Sequence, residues 1–374
     1  MSNPYQVHLP QEILDYIVDF LRDQPETLKQ CCLVSKSWVS RTQKYLFTNV
    51  EFFTVDDLET WKRTFPDPAR SPAHHTRTLS IDCIWAVEEA DAEEGGWIPT
   101  FSRVNDVRLR VGIDPTSLNE FEISLTLFHK LSSSLKSLRV ATIFLQCSQF
   151  WNPIRSLHLL ENLALIGHGG DKWDSPPAVY PSASPVFTGT LELDLFPMGG
   201  IARKLLDLPN GLHFRRLVFS WRFREDPRWV EELVAAYSDT LESLDVTHNM
   251  FSYTTLVSID LSKATKLRDA TFRPGSLSVA WITVALQTVS PKHRNLRQIV
   301  IYLRYDMTLV TADPNAMQAI GGQWLDLDHL LVQFWESRSI RTKLICETPG
   351  QGMVERIGRL LPEVTKRGTI DLVE

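Results

Sequence analysis

Three groups of residues have the types that chemistry needs. His74 and His75 are adjacent imidazoles, the side chains most used to ligate metals, Gly167-His168-Gly169-Gly170-Asp171-Lys172 has the glycines of a phosphate-cradling loop, and five cysteines supply thiols. None has the spacing its chemistry requires. Neighbouring residues on an extended segment point to opposite faces, so the histidine pair shares no ion without a turn. The glycine loop lacks the Ser or Thr that follows lysine in a phosphate-binding loop, and a turn between repeated units accounts for it. The cysteines contain no Cys-x-x-Cys pair, and Cys31 and Cys32 sit in an apolar helical pattern where thiols behave as small hydrophobes. Gly-x-Ser-x-Gly and His-Glu-x-x-His are missing as well. The residues therefore point to no catalytic group, no metal and no cofactor, and most of the eleven tryptophans fall at periodic apolar positions expected in a core. An enzyme on the larger part of the chain stays open as an alternative, which a convergent pocket of titratable residues would revive.

What remains is surface, and surface must be carried by a fold. The 374 residues are 43% hydrophobic, enough for one extended core and a small accessory domain. A formal net charge of −6 without a block of Lys and Arg gives no reason to expect a polyanion partner, nucleic acid included. Odd, scattered cysteines fit a reducing compartment. Met1 to Pro10 has neither a basic start nor an apolar run, which argues against a signal peptide. The stretch around Gly275 to Pro291 is uncharged, but polar residues break it and it is shorter than the roughly 18 apolar residues of a membrane span. The expectation is a soluble protein of the cytoplasm or nucleus.

The first fifty residues predict three short helices. Pro10 suits a first helical turn, and Ile13, Leu14, Ile17, Val18 and Leu21 recur on one apolar face. Pro25 breaks the pattern. A second helix carries Leu28, Cys32 and Leu33, and a third Trp38, Val39, Thr42, Tyr45 and Leu46. So small a bundle cannot bury all its apolar surface by itself and needs a staple or a partner.

Leu9-Pro10, Glu12-Ile13-Leu14, Ile17, Cys32-Leu33-Val34, Ser35, Trp38 and Leu46-Phe47 together resemble the F-box motif, in the form common in fungal proteins. The resemblance covers about a tenth of the chain. It implies binding to a Skp-family adaptor and, through it, to the cullin scaffold of an SCF-type ubiquitin ligase. The residues carried over are Leu9, Pro10, Ile13, Leu14, Ile17, Leu33, Val34 and Trp38. A capping bundle on the larger domain is the competing reading of the same apolar positions.

Beyond residue 50 the chain repeats. Leu241-Glu-Ser-Leu244-Asp-Val246-Thr-His-Asn249 fits the leucine-rich-repeat strand signature, and weaker copies centre on Leu79, Val107, Leu138, Leu163, Leu191, Leu217, Ala270, Ile299, Leu344 and Ile370. Helical stretches from Trp229 to Tyr237 and from Leu277 to Val289 separate strands. A loop around Tyr305 to Met317 precedes a helix marked by Leu327, Leu330, Leu331, Phe334 and Trp335. Only Asn249 supplies the repeat's usual asparagine, so the array is irregular. The acidic run from Glu88 to Gly96 and the proline-rich stretch from Asp174 to Pro185 read as loops.

The expected fold class is α/β: an N-terminal three-helix F-box (1–50) followed by an irregular leucine-rich-repeat-like solenoid (51–374) of ten or eleven strand units, with another mixed α/β topology as the alternative. The resemblance implies a non-catalytic substrate receptor, the F-box tethered to the ligase and the repeat domain gripping an unknown protein substrate. A non-ligase interaction scaffold is the other reading. Side chains alternating with the apolar strand positions are expected on a concave substrate face: Arg108, Arg110 and Arg139, then Glu192, Asp194 and Asp245, then Arg273 and Tyr302.

Overall fold

The computed structural model describes residues 10–82, 97, 100–111, 133–145, 154, 157–169, 187–196, 199–208, 213–222, 228–249, 259–275, 278–303, 314–346, 358–367 and 370–373. Leu9, the acidic run at 88–96 and the proline-rich stretch at 174–185 lie outside them. The chain forms two compact units, Met1–Thr142 and Ile143–Glu374.

In the first unit, α1 (Gln11–Phe20), α2 (Pro25–Val34) and α3 (Lys36–Leu46) form the expected helices. Pro10 precedes α1 rather than opening it, its carbonyl accepting from the Ile13 and Leu14 amides at 3.1 and 3.3 Å. Pro25, expected only as a breaker, is the first residue of α2, where its missing N–H costs nothing. Both α1 and α2 pack on α3. The chain then runs directly into a strand, β1 (Asn49–Phe52), which the repeat pattern did not include. After it comes α4 (Val55–Thr64), started by a reciprocal cap: the Thr54 hydroxyl accepts from the Asp57 amide and the Asp57 carboxylate from the Thr54 amide. β2 (Thr78–Asp82), β3 (Asp106–Val111) and β4 (Ser137–Leu145) follow, each parallel to the one before, with Val50, Leu79, Val107 and Leu138 in register.

The second unit continues the scheme. β5 (Asn162–Gly169), β6 (Thr190–Phe196), β7 (Arg216–Arg222), β8 (Ser243–Asn249), β9 (Asp269–Pro274), β10 (Gln298–Leu303), β11 (Arg341–Cys346) and β12 (Ile370–Val373) lie in chain order, all parallel. Helices α5 (Gly199–Leu206), α6 (Arg228–Tyr237), α7 (Ala280–Gln287), α8 (Pro314–Arg338) and α9 (Pro362–Lys366) stand between strands. Both units are thus mixed α/β with parallel strands.

Before seven of the strands, one carbonyl accepts from two amides of the next unit and holds the neighbours together. Thr48 O accepts from the Arg77 and Thr78 amides, Arg77 O from Asn105 and Asp106, and Asn105 O from Lys136 and Ser137. In the second unit Gly189 O receives Arg215 and Arg216, Arg215 O receives Glu242 and Ser243, Glu242 O receives Arg268 and Asp269, and Arg268 O receives Arg297 and Gln298. Each unit satisfies the next one's backbone donors, so a unit alone would leave them unpaired.

Apolar strand positions face the core. Leu163, Leu191, Leu217, Leu244, Ala270 and Ile299 are in register and each at most 1% exposed. Burying each of the larger ones contributes about 1.5–3 kcal/mol. The register corrects the expected centre at Leu344: Ile299 pairs with Thr342, and Leu344 with Leu372. Thr342 is buried at 3% exposure, and a search for apolar letters passes over it. The loop expected up to Met317 is shorter than that, because Pro314–Met317 already belong to α8. The helix expected from Leu277 is trimmed to Ala280–Gln287. Gly167 and His168 lie in β5 rather than in a turn, and Asn249 is the last residue of β8, opposite Arg222. Among the described residues no helix is long and apolar enough to cross a membrane.

The end of α8 offers a stability test. The Ser339 amide donates to Trp335 O at 2.8 Å and the Ile340 amide to Phe334 O, with Ser339 at φ 57°, a left-handed helix cap that normally uses glycine. Ser339→Gly is expected to raise the unfolding free energy by about 0.5–1 kcal/mol, read from urea denaturation. A neutral or destabilising result would mean that the exposed serine side chain makes up for its backbone strain.

Candidate interaction surfaces

The three N-terminal helices share a small core of Val18, Leu28, Cys31 and Thr42. A polar clasp beside it fixes α1 on α3. Arg41 donates through Nε and Nη2 to the Asp19 carboxylate at 2.7 and 2.5 Å, and the Tyr45 hydroxyl donates to the same group at 2.7 Å. These bonds, Arg41's first, hold Asp19 down at a pKa of about 2. The apolar periodicity of α1 gave no sign of this clasp.

Outside that core the helices present apolar side chains to solvent. Ile13, Tyr16 and Phe20, at the i, i+3, i+7 spacing of one helical face, are 48, 72 and 75% exposed, and Leu33 and Val34 at the end of α2 are 81 and 69% exposed. Ile13 therefore lies on a different face from buried Val18, contrary to the single stripe expected. Of the residues carried over from the motif, Pro10, Ile13, Leu33 and Val34 are exposed, and Leu14, Ile17 and Trp38 are half-buried. Tyr16 and Phe20 were missed. Their signal was in the sequence, since with them the apolar positions of α1 cover more than half of its circumference, wider than a single packing face needs.

On the strand faces of the first unit, Arg108 and Arg139 stand opposite each other on β3 and β4. Arg108 is paired with Asp106 at 3.2 Å and Arg110 with Asp82 at 3.3 Å, while Glu51 is exposed on β1. Three carboxylates thus interleave the three arginines, and the face is charge-balanced rather than uniformly basic.

In the second unit, Asp194 lies next to Ser220's strand and Glu192 opposite Val218. Asp245, Arg273 and Tyr302 come together across β8, β9 and β10. Arg273 donates through Nε and Nη2 to the two Asp245 oxygens at 3.0 and 3.1 Å, and its guanidinium lies 3.6 Å from the Tyr302 ring centroid. Asp245 is only 7% exposed, so this pair is well shielded from water. A double-mutant cycle of Asp245→Ala and Arg273→Ala is expected to give a coupling of about 1–2 kcal/mol in stability. A coupling near zero would leave the pair as a surface decoration.

His74 and His75 are not on an extended segment. They close a short 3-10 turn (Pro72–His75), with ring centroids 3.9 Å apart and His74 Nδ1 donating to Ser71 O at 2.8 Å. Burial, and then the nearby His74, Arg103 and Lys44, lower the pKa of His75. Among the described residues no group of three or more His, Cys, Asp or Glu is arranged to hold a metal ion. The chain matches no family model and no curated protein.

Proposed function

We propose that this chain is a substrate-recognition adaptor of an SCF-type ubiquitin ligase. In this reading residues 1–50 are an F-box that docks on a Skp-family adaptor, and the parallel strand units form a leucine-rich-repeat-like solenoid that holds the target protein. The observation that carries it is the pair of exposed apolar faces on α1 and α2. Large apolar side chains more than two-thirds exposed on so small a module favour a partner protein. Chain-ordered parallel strands, linked unit to unit by the carbonyl ladder, support the solenoid. The protein then makes and breaks no bonds itself, and acts by raising the local concentration of substrate at the ubiquitin carrier. That work belongs to the cytoplasm or nucleus.

The test is co-expression with a Skp-family adaptor and size-exclusion chromatography, for the wild type and for Ile13→Ala, Leu33→Ala, Val34→Ala. These positions are exposed, so their folding cost is expected to stay within about 0.5 kcal/mol each. Binding is expected to weaken about tenfold or more. Absence of any wild-type complex would overturn the adaptor reading. A complex that promotes no ubiquitination of bound proteins would favour the interaction scaffold.

A further inference from the structure

The parallel register collects cations that the sequence scatters. Lys263, Lys266 and Arg268 precede β9, and Lys292, Arg294 and Arg297 precede β10. Arg341 opens β11, paired with Gln298. All seven side chains are exposed. Asp269 pairs with Gln298, so Arg268 and Arg297 stand on adjacent rungs, about 4.8 Å apart. The carboxylates at this edge are Glu242, Asp260 and Asp269. Seven cations against three carboxylates leave a local surplus of four, in a chain where Asp and Glu outnumber Lys and Arg by 45 to 39.

The acids present do little to neutralise this strip. Glu242 pairs with Arg268 at 3.5 Å, and Asp260 is engaged by the Ser262 amide at 2.8 Å. Among the described residues, Lys266, Lys292, Arg294, Arg297 and Arg341 have no ion-pair partner. Unpaired like charges on neighbouring rungs repel, which disfavours the folded state unless an anion lies across them.

The loops that carry them are fixed. His293, 1% exposed, bridges the two: its Nδ1 accepts from the Ser290 amide at 3.1 Å and its Nε2 donates to Leu261 O at 2.8 Å. The Leu261 amide donates to the Thr288 hydroxyl at 2.8 Å, and Arg338 on α8 donates to Ser290 O at 2.8 Å. The backbone positions that carry the cations are therefore fixed before any partner arrives, which leaves only side-chain ordering to the binding step.

We propose that the strand-start edge of β9–β11 is a docking strip for an extended, acidic segment of a partner protein. Such a segment places same-face side chains about 6–7 Å apart, on the scale of the strand spacing, and its carboxylates complement the charge. Single-stranded nucleic acid is disfavoured, since successive bases need several aromatic platforms and, of the exposed aromatics among the described residues, Tyr16, Phe20 and Phe53 lie in the other unit and Trp335 alone precedes β11. The strip is independent of the adaptor reading, because no Skp-family partner takes part in it.

The test is fluorescence anisotropy on the full chain with a labelled ten-residue poly-glutamate peptide in 50 mM salt. A Gly-Ser peptide and a ten-nucleotide oligouridylate serve as comparisons. Poly-glutamate is expected to bind, to weaken as salt rises, and to bind about tenfold or more weakly to Lys266→Glu, Arg294→Glu, Arg297→Glu at a melting temperature no lower than that of the wild type. Arg108→Glu, in the other unit, is expected to leave binding unchanged. No binding, binding equal in the triple variant, or tighter binding of the oligouridylate would each overturn the proposal. If the triple variant unfolds, Lys266→Gln, Arg294→Gln, Arg297→Gln takes its place with the same criterion.

Discussion

Trp61→Ala is expected to cost about 4 kcal/mol, the largest single-site loss among the changes considered for this protein. The indole is the hub of an aromatic cluster: Phe47, Phe52, Phe65 and Phe101 have ring centroids 5.6, 5.9, 4.8 and 5.6 Å from it. Phe47 follows α3, Phe52 ends β1 and Trp61 is on α4, so one side chain ties the N-terminal helices to the first strand. Truncation leaves a cavity with rigid neighbours and also removes edge-on aromatic contacts, each contributing about 0.5–1.5 kcal/mol. Trp61→Phe is the informative control. It keeps a ring at the hub and removes an indole N–H that is buried and has no hydrogen-bond partner among the described residues. Its cost is expected to be about 1 kcal/mol or less. Urea denaturation, with hydrogen exchange of the β1 and α4 amides, reads both. A Trp61→Ala loss below about 1.5 kcal/mol would mean that the helices are held by something other than this cluster.

A second large effect is expected from acid. His248, on β8, is 4% exposed beside the Trp281 ring, at a centroid distance of 5.4 Å. Burial lowers its pKa from 6.5 to about 4. Because its folded pKa lies below the unfolded one, the unfolded chain binds the extra proton between those values. Stability is therefore full above pH 6.5 and falls as pH drops toward 4. The loss amounts to about 3 kcal/mol. It is isolated by comparing wild type with His248→Leu at pH 7 and pH 4: the difference between their unfolding free energies is expected to shift by about that amount, in favour of the variant at pH 4. A difference that does not change with pH would mean that His248 is protonated inside the fold. Asp19 works in the same sense, in a more acid window. Its folded pKa of about 2 is below the ordinary carboxylate value, so its contribution is present above pH 4 and disappears in stronger acid, reduced by its partial exposure to solvent.

How far letters predict structure here depends on what each element needs. The N-terminal helices were legible because apolar spacing is local, as in the recurrence of α1, and because Pro25 marks the break before α2; the Ser35 hydroxyl that caps α3 was not read from the letters. Most strands were legible too, since a buried Leu-x-Leu step recurs at a nearly fixed interval. β1 was missed because Val50 and Phe52 follow so closely on a helical pattern. β11 was shifted by two residues because the core position holds Thr342, and the intervening α8 stretches the interval.

The histidine pair and the charged positions belong to a different class. The sequence made His74 and His75 neighbours, but the 3-10 turn brought their rings to the same side, tilted and 3.9 Å apart. It placed Asp245, Arg273 and Tyr302 in three separate units, and parallel pairing turned them into one stacked ion pair. Net charge gave no hint of a basic edge, since charge summed along a chain averages over residues that folding separates. By itself the sequence determined the periodic core, the strand-and-helix order and the three terminal helices, because these depend on local spacing. Only the tertiary structure decided which side chains meet across strands, which apolar face of α1 stays in water, and where like charges accumulate, because those depend on register, and register is set by contacts 26 to 29 residues apart in the chain.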